Sequence, residues 1–150
     1  MNVGQHCSRN VAVIDTSADI VTAAKMMRAQ HVGFLVVLDA RNAQRTPVGV
    51  ITDRDIVIQV YAKEINPTTV KVGDVMTAKP VVASENSDLT ELVKQMQTSG
   101  IRRMPLVNAA GALTGVIALD DVIEWLAALL CDVTGLIISG QRTERRAHSE

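Results

Sequence analysis

The sequence contains one pattern twice, and this internal repeat limits the possible folds more than any other feature. Val3-Gly4 returns as Val72-Gly73 at a spacing of 69 residues, and Gly49-Val50-Ile51 returns as Gly115-Val116-Ile117 at a spacing of 66. A unit of this length is too small to bury its apolar face alone, so it needs its copy to complete a core. We therefore predict two fused units that share a core, with any pocket between them.

The composition is that of a folded protein, and it argues against several classes of partner. Apolar residues make up 47% and charged residues 21% of the 150 residues. The 15 Lys and Arg balance 16 Asp and Glu, and the chain has one Trp, one Tyr and one Phe, so nothing favours nucleic acid. The N-terminus lacks a signal-peptide pattern, and no apolar run reaches the length that spans a bilayer. We expect a cytoplasmic protein without membrane insertion.

Each copy predicts the same order of elements, β-α-β-β-α. The first helix of each copy has apolar residues at i, i+3, i+4 and i+7, and Asp19 or Asp88 stands before it as a candidate N-cap. Gly100 is placed to end the second of these helices. The predicted segmentation is repeat 1 at 3–62, a linker at 63–71, repeat 2 at 72–132, and a C-terminal extension with a mobile polar tail at 133–150.

Three segments carry a resemblance to a known family: Gly49–Asp55, Val72–Thr77 and Gly100–Val107. In this order, inside a two-fold repeat, they resemble the tandem CBS (cystathionine-β-synthase-type) domain pair, also called a Bateman module. The resemblance implies an α+β fold with two β-α-β-β-α repeats related by a pseudo-two-fold, whose three-stranded sheets pack against helices. It also implies a homodimer and a non-catalytic sensor that binds AMP, ADP, ATP or S-adenosylmethionine. The sensor would regulate a separate, unidentified protein target.

The ligand motif of this family is Gly-apolar-x-Ser/Thr-x-x-Asp, and the first copy matches it with Gly49, Thr52 and Asp55. A carboxylate at Asp55 could accept two hydrogen bonds from a ribose diol. The hydroxyl of Thr52 would stand at a helix N-terminus, where phosphate is favoured. The same spacing is also that of an ordinary helix cap. The same atoms could serve both purposes.

By the resemblance, a ligand held by Asp55 would lie between this motif and the other copy, and we call this site the first cleft. Apolar residues of the other copy would form a slot for a purine, while Arg102 and Arg103 would face the phosphates. The alternative for these two arginines is a solvated strand end. The residues predicted to bind ligand are Val50, Thr52, Asp55, Lys79, Pro80, Val81, Ile101, Arg102, Arg103 and Pro105.

The second cleft, built around Asp121, is predicted to be weaker. Ala118 stands where a hydroxyl is expected, and Gly33 stands where the other copy has Arg102. Asp120 beside Asp121 makes phosphate still less favourable there. We expect this cleft to be empty or to take a less charged adenosine compound. Its predicted residues are Asn10, Val11, Val32, Gly33, Ala118 and Asp121.

Two other functions remain open from the sequence. The chain could be a constitutive dimeric scaffold with no physiological nucleotide, in which the motif merely caps a helix. An enzyme with Asp55 or Asp121 as a base ranks last, because no second catalytic group is spaced to help. Cys7 and Cys131 are too few and too far apart for a metal site, so we expect neither metal nor cofactor. We expect Trp125 at a dimer interface.

Overall fold

The computed structural model describes residues 2–147 and has the α+β architecture that the repeat predicts. The strands are β1 (Val13–Asp15), β2 (Phe34–Leu38), β3 (Gly49–Thr52), β4 (Thr77–Ala78), β5 (Ala83–Ser84), β6 (Arg103–Val107) and β7 (Leu113–Ala118). The α-helices are α1 (Ile20–Gln30), α2 (Asp53–Ile56), α3 (Val72–Val75), α4 (Leu89–Ser99) and α5 (Leu119–Ala147). A 3-10 turn spans Val3–Gln5, and α2 continues into a π-helical turn at Val57–Tyr61. The strands form one sheet in the order β1-β2-β3-β4 and another in the order β5-β6-β7.

The helices α1 and α4 form where the sequence predicts them. Asp19 accepts a hydrogen bond from the amide of Thr22, and Asp88 accepts one from the amide of Thr90, so both are N-caps. The buried face of each helix packs on the sheet of its own repeat. Gly100 ends α4 in the left-handed conformation at φ 65°, and His31 ends α1 in the same conformation at φ 54°.

Each repeat completes its core with a segment that precedes the first strand of the other repeat. The amide of Val3 donates to the carbonyl of Ser87 at 3.1 Å, and the amide of Val72 donates to the carbonyl of Ala18 at 2.8 Å. Val3 lies fully buried in the second core and Val72 in the first. The strand β4 belongs to the second repeat by sequence, yet it pairs with β3 of the first. The single shared core that the sequence predicted is therefore two separate cores, and a segment of each repeat completes the core of the other.

Two glycines allow these crossing segments to approach the sheets. A Cβ atom on Gly115 would stand 2.7 Å from the Sγ of Cys7, and one on Gly49 would collide with the side chain of Met76. Cys7 and Met76 occupy corresponding places in the two repeats. Desolvation by burial raises the pKa of the half-buried Cys7 thiol, which disfavours the reactive thiolate.

The final helix, α5, contradicts several expectations from the sequence. Trp125 is only 6% exposed and its ring stacks on His6 with centroids 3.7 Å apart, so the prediction that it lies at an interface between chains is wrong. The helix also continues through Gln141 to Ala147, where a mobile tail is predicted. Residues 148–150 of that predicted tail lie outside the described residues.

By length and composition, α5 meets the criteria for a membrane-spanning helix. An 18-residue window within it has a mean hydropathy of 1.9, and 11% of that window is buried. The expectation that no apolar run reaches the length that spans a bilayer is therefore wrong. Acidic residues interrupt the apolar residues of this window, so the sequence shows no uninterrupted apolar run here. Length and composition alone are weak evidence for a membrane, since core helices of other proteins also pass the test.

Candidate functional site

A cavity of about 570 Å³ lies between the two repeats, and it brings together the residues of the first cleft. All ten residues predicted for this cleft line its wall. Five further residues line it as well: Phe34, Thr77, Ala118, Leu119 and Asp120. Ala118 belongs to the predicted second cleft, whose other predicted residues are absent from this wall: Asn10, Val11, Val32, Gly33 and Asp121.

Thr52 and Asp55 form a reciprocal capping box at the start of α2. The amide of Thr52 donates to Oδ2 of Asp55 at 2.9 Å, and the amide of Asp55 donates to the Thr52 hydroxyl at 3.1 Å. Among residues 2–147, no protein donor reaches the second carboxylate oxygen of Asp55. The cap and a ligand contact are therefore compatible, because the hydroxyl proton of Thr52 and one oxygen of Asp55 are free for another group.

Lys79 reaches this wall because the chain of the second repeat crosses to the sheet of the first. In the pairing of β3 with β4, Val50 lies opposite Thr77 and Gly49 opposite Ala78. Lys79 follows directly, with its amide 3.3 Å from the carbonyl of Val48. Its φ is 51°, which is the left-handed region that a lysine rarely adopts. A cation is thus held at the cavity by a strained backbone.

The opposite wall comes from the start of β6. Arg103 lies opposite Ala118 in the pairing of β6 with β7, and the carbonyl of Arg102 accepts the amide of Leu119 at 2.8 Å. Both arginine side chains are exposed, and neither forms an ion pair within the part of the chain that the structure describes. Together with Lys79 they give the wall three cations against the carboxylates of Asp55 and Asp120. This excess of positive charge suits an anionic ligand.

A proline in β6 leaves a backbone acceptor at the same cavity. In the first repeat, the amide of Val36 donates to the carbonyl of Ala12 at 3.0 Å. The corresponding residue of the second repeat is Pro105, which has no amide to donate. Within residues 2–147, no other amide reaches the carbonyl of Val81, and Val81 is one of the residues that line the cavity. A ligand with an N–H donor would satisfy this carbonyl.

The second cleft retains only part of this chemistry. The amide of Ala118 donates to Oδ2 of Asp121 at 2.7 Å, but Ala118 has no hydroxyl to complete the box. A Cβ atom on Gly33 would stand 2.5 Å from the carboxylate of Asp53. A carboxylate therefore lies where the first cleft has the side chain of Arg102. Within residues 2–147, no group of three or more His, Cys, Asp and Glu residues is arranged to hold a metal ion.

Four residues of the cavity wall were predicted for neither cleft: Phe34, Thr77, Leu119 and Asp120. Phe34 lies opposite Thr52 in the pairing of β2 with β3, so that register identifies it. Leu119 and Asp120 lie within the second copy of the ligand motif, between Ala118 and Asp121. The repeat itself is the signal that could have found them, since a pseudo-two-fold brings the ends of both motifs together.

Comparisons with known proteins agree with this architecture. A model of the CBS domain family matches residues 3–61 and 72–128. A protein of Methanopyrus kandleri is 32% identical over 83% of this chain, and the match spans 62% of that protein's length. The protein YlbB of Bacillus subtilis is 35% identical over 69% of this chain and 68% of its own length.

Solved structures with the same fold include two that contain adenosine compounds. A CBS domain protein from Pyrobaculum aerophilum complexed with AMP matches with a TM-score of 0.74 at 21% identity, over 85% of this chain and 99% of that one. A CBS domain pair in complex with 5′-methylthioadenosine and S-adenosylmethionine matches with a TM-score of 0.73 at 20% identity, over 85% of this chain and 97% of that one. At these identities the likeness concerns the fold alone.

Proposed function

Because the chain belongs to the CBS domain family, we propose that it is a non-catalytic sensor that binds an adenine nucleotide and regulates a separate protein. The observation that carries this proposal is the cavity between the repeats, where Thr52 and Asp55 face Arg102 and Arg103. Polar groups of one repeat thus oppose cations of the other across a space of about 570 Å³, within the range of small-molecule sites. AMP, ADP, ATP and S-adenosylmethionine belong to the proposed ligand class, which the adenosine compounds in the two solved CBS structures support.

Different residues of the cavity wall bind the ribose, the phosphates and the purine of the nucleotide. The carboxylate oxygen of Asp55 that accepts no protein hydrogen bond accepts a charge-assisted one from a ribose hydroxyl. The guanidinium groups of Arg102 and Arg103 bind phosphate oxygens, and Lys79 adds a third positive charge. The purine lies in the slot lined by the remaining residues of the predicted set: Val50, Pro80, Val81, Ile101 and Pro105.

The carbonyl of Val81, which accepts no protein hydrogen bond, favours adenine over hypoxanthine. The exocyclic amino group of adenine is a hydrogen-bond donor, whereas hypoxanthine carries an oxygen at the same ring position. A ligand that covers this acceptor without offering it a donor loses free energy, so an inosine nucleotide binds more weakly at this carbonyl. The loss of one neutral hydrogen bond, about 1 kcal/mol, corresponds to roughly a fivefold weaker affinity.

The output of the sensor is a change in how the two repeats sit together. A ligand that touches both repeats shifts their arrangement only if it binds one arrangement better than another. The crossing segments at Val3 and Val72 link both cores, so a shift at the cavity reaches both sheets. We also propose that the protein acts as a cytoplasmic homodimer, whose surface passes the signal to the partner protein.

A thermal-shift series tests the proposal. AMP, ADP or ATP at 100 times its dissociation constant is expected to stabilise the protein by about 2.7 kcal/mol, which raises the melting temperature by roughly 5–10 °C. IMP at the same concentration is expected to give a smaller shift. Arg102→Ala is expected to reduce the nucleotide shift strongly, because the phosphate loses its bidentate partner.

The matched control is Arg54→Ala, which removes an exposed arginine next to Asp55 that does not line the cavity. This variant is expected to keep the full shift. An unchanged shift in Arg102→Ala, or equal loss in both variants, contradicts the proposed site.

The alternative function is a constitutive dimeric scaffold with no physiological nucleotide. The complete capping box of Thr52 and Asp55 favours it, because that box already gives both residues a structural task. Under this alternative, no adenosine compound in the series changes the melting temperature, while the oligomer persists. The same measurement therefore separates the two functions.

A further inference from the structure

The helix α5 carries a continuous apolar stripe that the rest of residues 2–147 leaves uncovered. Its residues are Ile123, Leu126, Leu130, Val133 and Ile137, with exposures of 55%, 44%, 69%, 54% and 58%. They recur at alternating steps of three and four, which places them on one side of a helix. Only Val122 and Trp125 of this helix are buried against the body of the protein. A stripe of this length on one helix is typical of a helix-pairing surface.

The charges of α5 are divided between its two ends. Asp120, Asp121, Glu124 and Asp132 lie in the first half, and Arg142, Arg145 and Arg146 lie in the last turns, where Glu144 is the one acidic residue. No Lys or Arg occurs from Leu119 to Gln141. Two copies of this helix repel each other at both ends when parallel, because acidic meets acidic and basic meets basic. When antiparallel, each acidic end meets a basic end.

We propose that α5 pairs with α5 of a second copy of this chain, in antiparallel orientation, with the apolar stripe as the contact. The pair is centred near Val133, because this residue is the midpoint of α5, so that the acidic first turns of one copy lie along the basic last turns of the other. This gives the homodimer proposed above a defined surface, although the pairing itself needs no nucleotide.

A lipid bilayer fits the same surface less well. The start of α5 is held on the body of the protein by Val122 and Trp125. The remainder without Lys or Arg would run from Leu126 to Gln141, about 24 Å of helix, whereas a bilayer core is about 30 Å thick. Asp132 interrupts even this segment. The absence of Lys and Arg along it also removes the usual attraction to an anionic membrane surface.

The contact is tested by the mass of the full chain in solution, measured by sedimentation. The wild-type protein is expected to be at least a dimer, and Leu130→Glu is expected to halve the mass because a charge is placed on the stripe. The matched control is Ala128→Glu, since residue 128 is exposed and lies nearly opposite the stripe on the same helix. This control is expected to keep the wild-type mass. A monomeric wild type, or equal masses for all three proteins, overturns the proposal.

The orientation is tested by disulfide cross-linking in a Cys7→Ser/Cys131→Ser background. Thr134→Cys lies near the centre of an antiparallel pair and is expected to cross-link readily. Two copies of Gln141→Cys are about 24 Å apart in that pair and are expected to stay uncrosslinked. Efficient cross-linking at both positions indicates a parallel pair and overturns the proposal.

Two further readouts separate this inference from the alternatives. Flotation of a monomeric wild type with phosphatidylcholine–phosphatidylglycerol vesicles would overturn it in favour of a membrane surface. Leu130→Glu is expected to keep the nucleotide-dependent thermal shift, because the stripe lies outside the cavity. The failure of the pairing and the failure of the nucleotide proposal are thus distinguishable.

Discussion

Single residues carry the chemistry of the candidate cleft, and Lys79 does so under strain. A residue other than glycine in the left-handed region costs about 1–3 kcal/mol, and it persists only where its surroundings fix it. Here the pairing of β4 with β3 fixes the preceding residues, and the amide of Lys79 itself donates to the carbonyl of Val48. His31 has a similar φ but caps α1 far from the cavity, where the second repeat has Gly100.

Glycine at these two positions is expected to separate strain from binding. Both Lys79→Gly and His31→Gly should raise the free energy of unfolding by up to about 1 kcal/mol, because glycine adopts a positive φ without steric cost. Lys79→Gly should also weaken nucleotide binding, since it removes a cation from the wall. Urea unfolding and nucleotide titration of both variants check this. Weaker binding in His31→Gly, or unchanged binding in Lys79→Gly, would contradict the role assigned to Lys79.

At the scale of elements, the two repeats are joined by segments that cross from one sheet to the other. The local patterns predict β2 over its full length and place α1 and α4 correctly, because apolar periodicity and capping residues act within a few positions. The crossing of β4 and of the Val3 segment was not predicted. It depends on contacts between residues far apart in sequence, for which a two-residue strand gives no local signal. The length of α5 was also missed.

Because the N-terminal segment packs against Gly115, alanine substitutions at two glycines are expected to have opposite effects on stability. Gly115→Ala is expected to destabilise the protein by about 1–3 kcal/mol, because the new methyl group collides with Cys7 and the carbonyl of Ser8. Gly135→Ala is the control, since a Cβ atom there meets nothing within 4 Å. That variant is expected to stabilise α5 by up to about 1 kcal/mol. Equal effects in chemical denaturation would show that the segment does not pack as described.

At the scale of the whole molecule, the pseudo-two-fold gives two clefts with different chemistry. The sequence predicted ten residues that now line one cavity, because the resemblance to the CBS pair supplied the contact between repeats that no local pattern contains. It missed Phe34 and Asp120, which reach the wall through strand register and pseudo-symmetry. It also could not show that the carboxylate of Asp53 lies against Gly33, which follows from packing alone.

The central claim is that the cleft of Asp55 binds the nucleotide and that of Asp121 does not, and calorimetric titration with AMP tests it most directly. Asp55→Asn and Asp121→Asn are matched variants, because each removes one charge at corresponding positions and keeps a side-chain oxygen that accepts the backbone amide. One site per chain is expected in the wild type, loss of binding in Asp55→Asn, and wild-type binding in Asp121→Asn. Binding that survives in Asp55→Asn and disappears in Asp121→Asn would contradict the account.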